Sequence, residues 1–241
     1  MYIGIYALYI GVVATLMSYL YLCAAPYYAQ QISQGADADE SLWWRAVCDG
    51  SYISYNTSMM PPYALLAYAL SFGLVLSVCV LYKPWLPQAS LWLNISVMTL
   101  WLGGLILLAR IDRLCFLLPD VITQLLLWLG LALAVQLNRA TDFSAMSAFY
   151  SVIGVYIMGR SLNYVAYRFN GRFLFGHGDV KFVAAVAAWL GAAALLPLLF
   201  VACMICMPLE AIRQRRWRPR GACAFGPYLV IATLGVWLCL K

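Results

Sequence analysis

Charge is what this 241-residue chain has least of: 10% of its residues are Asp, Glu, Lys or Arg, while 65% are hydrophobic. A soluble domain carries about 25% charged residues, so water is excluded as the main solvent. Histidine is scarcer still, with His177 alone. Cys203 and Cys206 form a C-x-x-C, but zinc takes about four ligands and no further His or Cys lies near them in sequence, so no metal site is expected. Cys23, Cys79, Cys203, Cys206 and Cys239 all fall inside apolar runs, where a thiol behaves as a small hydrophobe, and no disulfide framework is indicated. The N-terminal MYIGIYALYIGVVATLMSYLYL lacks the positive n-region of a cleaved signal and is expected to stay as the first helix. There is no internal repeat and no low-complexity tract.

What is present is a succession of apolar runs of membrane-spanning length. They predict an all-α, polytopic transmembrane bundle of about eight helices, at 2–25, 61–82, 86–110, 121–137, 145–167, 180–191, 193–212 and 225–240. One domain, 1–241, accounts for all of them. The sixth span is too short to cross comfortably and Pro197 interrupts the stretch after it, so irregular backbone is expected there. Irregular backbone survives in a bilayer only against protein or a water-filled cavity.

The net charge of +6 does not point to nucleic acid, because basic residues in short loops between spans report orientation. With the N-terminus outside the cytoplasm, alternation places Arg45, Arg110, Arg113, Arg168, Arg172, Lys181, Arg213, Arg215, Arg216, Arg218 and Arg220 inside. Lys83, Arg139 and Lys241 fall outside, and Arg160 lies within a span. The longest loop, 26–60, is cytoplasmic in this scheme and carries Asp37, Asp39, Glu40 and Asp49 against Arg45.

Of nine acidic residues, three stand at membrane edges on the cytoplasmic side: Asp112, Asp120 and Asp179. Ionisable groups at that depth are costly and are functional candidates. Asp179 ends Gly176-His177-Gly178-Asp179, followed by Lys181, between two apolar helices; the glycines permit positive φ and close approach of a second backbone. Asp179 could equally cap the next helix. Asp112, between Arg110 and Arg113, could be a charge snorkelling at a helix end, and Asp120, after Leu118-Pro119, reads as an N-cap. Lys181 could influence Asp179 or simply mark topology, and His177 reads as a spacer.

Three motifs occur in order: I-D-x-x-x-x-x-L-P-D-x-x-T-x-x-L-L-W-L-G-L from Ile111, G-x-G-D-x-K from Gly176, and F-G-P-Y from Phe225. This series resembles the type IV prepilin peptidases, among the GxGD intramembrane aspartyl proteases. The resemblance implies a catalytic dyad of Asp112 and Asp179, with Gly176, Gly178, Lys181, Pro119 and Asp120 as supporting motif residues. It implies cleavage of prepilin or pseudopilin leaders after Gly at the cytoplasmic face of the bacterial inner membrane, the substrate's own apolar helix lying in the bilayer. Proteolysis of this kind needs neither metal nor cofactor. Many members carry a larger first cytoplasmic loop with two C-x-x-C pairs and also N-methylate the new terminus using S-adenosylmethionine. Here 26–60 is a reduced loop holding only Cys48, so zinc is not expected and S-adenosylmethionine applies only if methylation is retained. The rival reading is a non-enzymatic scaffold or small transporter whose carboxylates orient helices or relay ions.

Overall fold

The computed structural model describes residues 2–34, 46–47, 63–82, 90–137, 145–171, 173–215 and 223–239. The acidic residues of the 37–49 loop and Cys48 lie outside them. Among the described residues every regular element is helical, in eight continuous rods, as expected. Three stretches, Leu8–Ser33, Leu91–Cys115 and Ala192–Gln214, are long and apolar enough to cross a membrane, and shorter apolar helices accompany them. The chain is a multi-pass membrane protein made of two compact units, 1–115 and 116–241.

In the first unit, α1 (Tyr2–Tyr19) passes through a π turn (Leu20–Ala24) into α2 (Ala25–Ser33). The helix therefore continues past the expected end at 25. Pro26 is tolerated because it follows the wider turn, at the start of regular winding, where a missing N–H costs least. Two further helices, α3 (Tyr63–Tyr82) and α4 (Leu91–Cys115), complete the unit, α3 packing on α1 and α4 on α2. Without a hydrophobic drive between helices in lipid, close packing depends on small residues and on polar bonds. Gly103 supplies the first, since a Cβ there would lie 2.6 Å from Met17 Sδ. Tyr9 and Ser96 supply the second through a 2.8 Å hydroxyl–hydroxyl bond. On α4, Met98, Trp101, Leu105 and Leu108 are buried at helical spacing. Asp112 is the next residue on that face.

The second unit contains α5 (Asp120–Leu137), α6 (Ala145–Asn170), α7 (His177–Leu190), α8 (Leu195–Gln214) and α9 (Gly226–Cys239). The helix α7 packs against both α5 and α6, and α8 pairs with α9. Every residue from Phe182 to Trp189 is buried, and four of them are alanines that let neighbours approach. The neighbours reciprocate with glycine: a Cβ at Gly130 would lie 2.7 Å from the Trp189 ring, and one at Gly159 2.7 Å from Val180. The indole N–H of Trp189 donates to the Leu126 carbonyl at 2.8 Å, so the largest side chain of α7 also satisfies its polar atom on α5.

The expected break follows α7, but at Gly191 rather than at Pro197, which lies in the first turn of α8 where a missing N–H costs least. Gly191 has φ 76° and ψ 167°, and a 3-10 turn (Ala192–Ala194) leads into α8. The backbone freed there is satisfied by protein, with Ala192 N–H donating to Ser151 Oγ on α6 at 3.1 Å. Because L side chains strongly disfavour the Gly191 conformation, Gly191→Ala is expected to cost about 1–3 kcal/mol. A lowered thermal midpoint in detergent checks this, and an unchanged midpoint would contradict it.

Candidate active site

Gly176 is the N-cap of α7, which makes Asp179 its third helical residue rather than its cap. Asp179 Oδ2 accepts the Gly176 N–H at 3.2 Å, the carboxylate half of a capping box. Local capping and catalysis are therefore not exclusive for this side chain. The glycines are needed for room, not for positive φ: Gly176 has φ −59°, a value open to any residue. A Cβ on Gly176 would stand 2.9 Å from Asp179 Oδ2, and one on Gly178 3.0 Å from the Leu118 Cβ. Just before the turn, the buried Asn163 of α6 holds Phe175 by both backbone groups, accepting its N–H and donating to its carbonyl, each at 2.9 Å.

The Leu118-Pro119-Asp120 segment docks on this turn. Leu118 and Pro119 are buried, with Leu118 over Gly178. Asp120 begins α5, but its carboxylate faces Lys181, whose Nζ donates to Oδ1 at 2.7 Å and Oδ2 at 2.6 Å. The expected N-cap at Asp120 is thus replaced by a salt bridge from α5 to α7, and Lys181 points to Asp120. Both side chains are about two-fifths exposed, so the pair contributes at most about 1 kcal/mol and acts mainly as a register pin. His177 is exposed, its ring set edge-on to Phe173 with the two centroids 5.1 Å apart.

Asp179 also lines a cavity of about 60 Å³, with Leu162, Phe175, Val183, Leu199 and Phe225 among the other walls. Phe225 opens the F-G-P-Y motif, so the second and third motifs share this space. Tyr228, closing that motif, donates to Glu210 Oε1 at 2.9 Å, and Arg213 Nε donates to Glu210 Oε2 at 2.9 Å. Glu210 is buried near the end of α8. It escaped the sequence reading, although a lone carboxylate closing an apolar span is the signal that marks it. The thiols of the C-x-x-C diverge, Cys203 exposed and Cys206 buried with its Sγ 3.7 Å from Cys223 Sγ. Among the described residues no three His, Cys, Asp or Glu side chains gather as a metal site.

In the first unit, Asp112 lies inside α4 rather than beyond it, and is only 5% exposed. The snorkelling expectation is corrected by its place on the buried face. Its neighbour Arg110 turns to Tyr21, with the guanidinium 5.1 Å from the ring centroid.

Residues 99–210 match the profile of the type IV leader peptidase family. Over that segment the chain is similar to the type IV leader peptidase family. Similar curated proteins include the prepilin leader peptidase/N-methyltransferase of Dickeya chrysanthemi, 33% identical over 193 residues, covering 78% of this chain and 61% of that one. The protein of the same name from Pectobacterium carotovorum subsp. carotovorum is 32% identical over 200 residues, 79% and 63% of the two chains. That of Neisseria gonorrhoeae is 37% identical over 138 residues, 54% and 46%. The chain thus spans just over three-fifths of the length of the first two. No solved structure matches it. The leader peptidase match contains Asp112, Pro119, Asp120, Asn163, Gly176, Gly178, Asp179, Lys181 and Glu210, and stops before F-G-P-Y.

Proposed function

We propose that the chain is a membrane-embedded aspartyl endopeptidase that removes the leader of type IV prepilins or pseudopilins after Gly, with Asp112 and Asp179 as the catalytic pair. The observation that carries this reading is Asp179 itself. It stands at the head of a buried helix, in the wall of a cavity, on a turn held by Leu118, Asn163 and the Lys181–Asp120 bridge.

In the proposed reaction the two carboxylates share one proton, because adjacent like charges resist double ionisation. The ionised member takes a proton from water, whose oxygen attacks the carbonyl carbon, and the protonated member donates to the carbonyl oxygen. As the C–N bond breaks, the leaving nitrogen takes a proton from one carboxyl while a hydroxyl of the tetrahedral intermediate returns one to the other, yielding a carboxyl terminus on Gly and a new amino terminus and restoring the singly protonated pair. The hydrolysis uses no cofactor and no metal. The proposal stops at cleavage, and S-adenosylmethionine belongs to it only if methylation is retained. The proposed site of action is the bacterial inner membrane, and the basic asymmetry supports an orientation with the N-terminus outside and the carboxylates at the cytoplasmic face.

Co-expression with a prepilin tests the reading. The expected product is a shortened pilin whose terminus, read by mass spectrometry, follows the leader Gly. Intact prepilin beside well-expressed, membrane-inserted chain would refute it.

A further inference from the structure

We infer that Asn163 is a positioning residue for the Asp179 carboxylate, acting through the peptide group between Phe175 and Gly176; this rests on the reading of Asp179 as catalytic. Asn163 is 2% exposed on α6 and bonds both backbone groups of Phe175 at 2.9 Å. An amide side chain offers a donor and an acceptor side by side, and only one of its two orientations satisfies an N–H and a C=O together. The Phe175 carbonyl and the Gly176 N–H belong to one planar peptide unit, so fixing the direction of the first fixes that of the second. That N–H donates to Asp179 Oδ2 at 3.2 Å. The hydrogen bonds therefore run in series from the Asn163 amide, through one peptide, to the carboxylate.

The platform beneath is rigid. One helical turn before Asn163, on the same face of α6, Gly159 receives Val180, the residue after Asp179, in an approach too close for any added Cβ. Both ends of the Phe175–Val180 segment are thereby tied to α6. An Asn that only satisfied turn backbone would affect stability; one that aims the carboxylate affects the rate of the chemical step.

The test compares kcat and KM of purified variants on a prepilin. Asn163→Leu, near-isosteric and without either bond, is expected to lower kcat about 10- to 100-fold with KM within about threefold, the signature of a misplaced catalytic group. Asn163→Asp keeps the acceptor for Phe175 N–H and is expected to fall between Leu and wild type. Wild-type kcat in Asn163→Leu, beside an inactive Asp179→Asn, would overturn the inference and leave the protease reading standing. Full activity in Asp179→Asn would overturn both. A raised KM with unchanged kcat would also overturn it. Should Asn163→Leu fail to accumulate in membranes, Asn163→Asp decides, wild-type kcat there overturning the inference.

Discussion

Asp112→Asn and Asp179→Asn are each expected to abolish prepilin processing, losing several orders of magnitude in rate while still inserting in the membrane. Asn preserves the size of the side chain and much of its bonding. It can neither take a proton from water nor share one with a partner carboxylate. For Asp179, an Asn oxygen still accepts the Gly176 N–H, so the turn should survive while the chemistry does not. Because the two carboxylates would work as a unit, the double variant should be scarcely slower than either single one. Asp120→Asn supplies the contrast. It weakens the two-fifths-exposed bridge to Lys181, at a cost of at most about 1 kcal/mol, and should retain most activity. The measurement is the processed fraction of a co-expressed prepilin at matched membrane levels. Appreciable cleavage by either Asp112→Asn or Asp179→Asn would refute the pair, and an inactive Asp120→Asn beside an active Asp112→Asn would show that the wrong carboxylate had been assigned.

Gly176→Ala should bring the second-largest loss, and for a different reason. The backbone at Gly176 accommodates any residue, so the substitution is not opposed by φ. The new methyl would meet Asp179 Oδ2 at 2.9 Å, inside van der Waals distance, and the side-chain end that must yield is the proposed reacting carboxylate. Displacement of a catalytic group by about 1 Å costs about 100-fold in rate. The expected result is therefore a kcat lower by about two orders of magnitude with a thermal midpoint close to wild type. A variant that unfolds early would contradict this account, as would one that cleaves at the native rate.

How far such features can be read from sequence depends on the distance over which each is determined. The apolar runs reveal eight rods because span length is set locally by bilayer thickness. The carboxylates at 112, 120 and 179 are conspicuous because so little else in the chain is charged. What eludes the reading depends on which faces meet. Lys181 stands close to Asp179 in sequence, but its partner is Asp120, 61 positions earlier, which no spacing along its own helix reveals. Asn163 looks like an unremarkable polar residue on a span; its meaning comes from a turn 12 residues on that leaves Phe175's backbone in need of partners. Glu210 takes its partners from Arg213, three residues on, and from Tyr228, 18 residues later, a meeting that only the folded chain shows. The first helix outruns its expected end at 25 because the π turn that admits Pro26 has no spacing signature of its own.

The burial of α7 along eight consecutive residues has a bearing on motion. Local opening is rare where packed side chains must separate together, so this helix belongs to the slowest-breathing part of its unit. Asp179 is thus carried on the least yielding element available, in a first turn that lies at the half-exposed margin. A carboxylate mounted in this way does not travel to meet a peptide bond. On the proposed reading the bond has to be delivered to it, so the adaptability needed to accept different leader sequences would belong to the substrate chain and to the surrounding wall rather than to the acid.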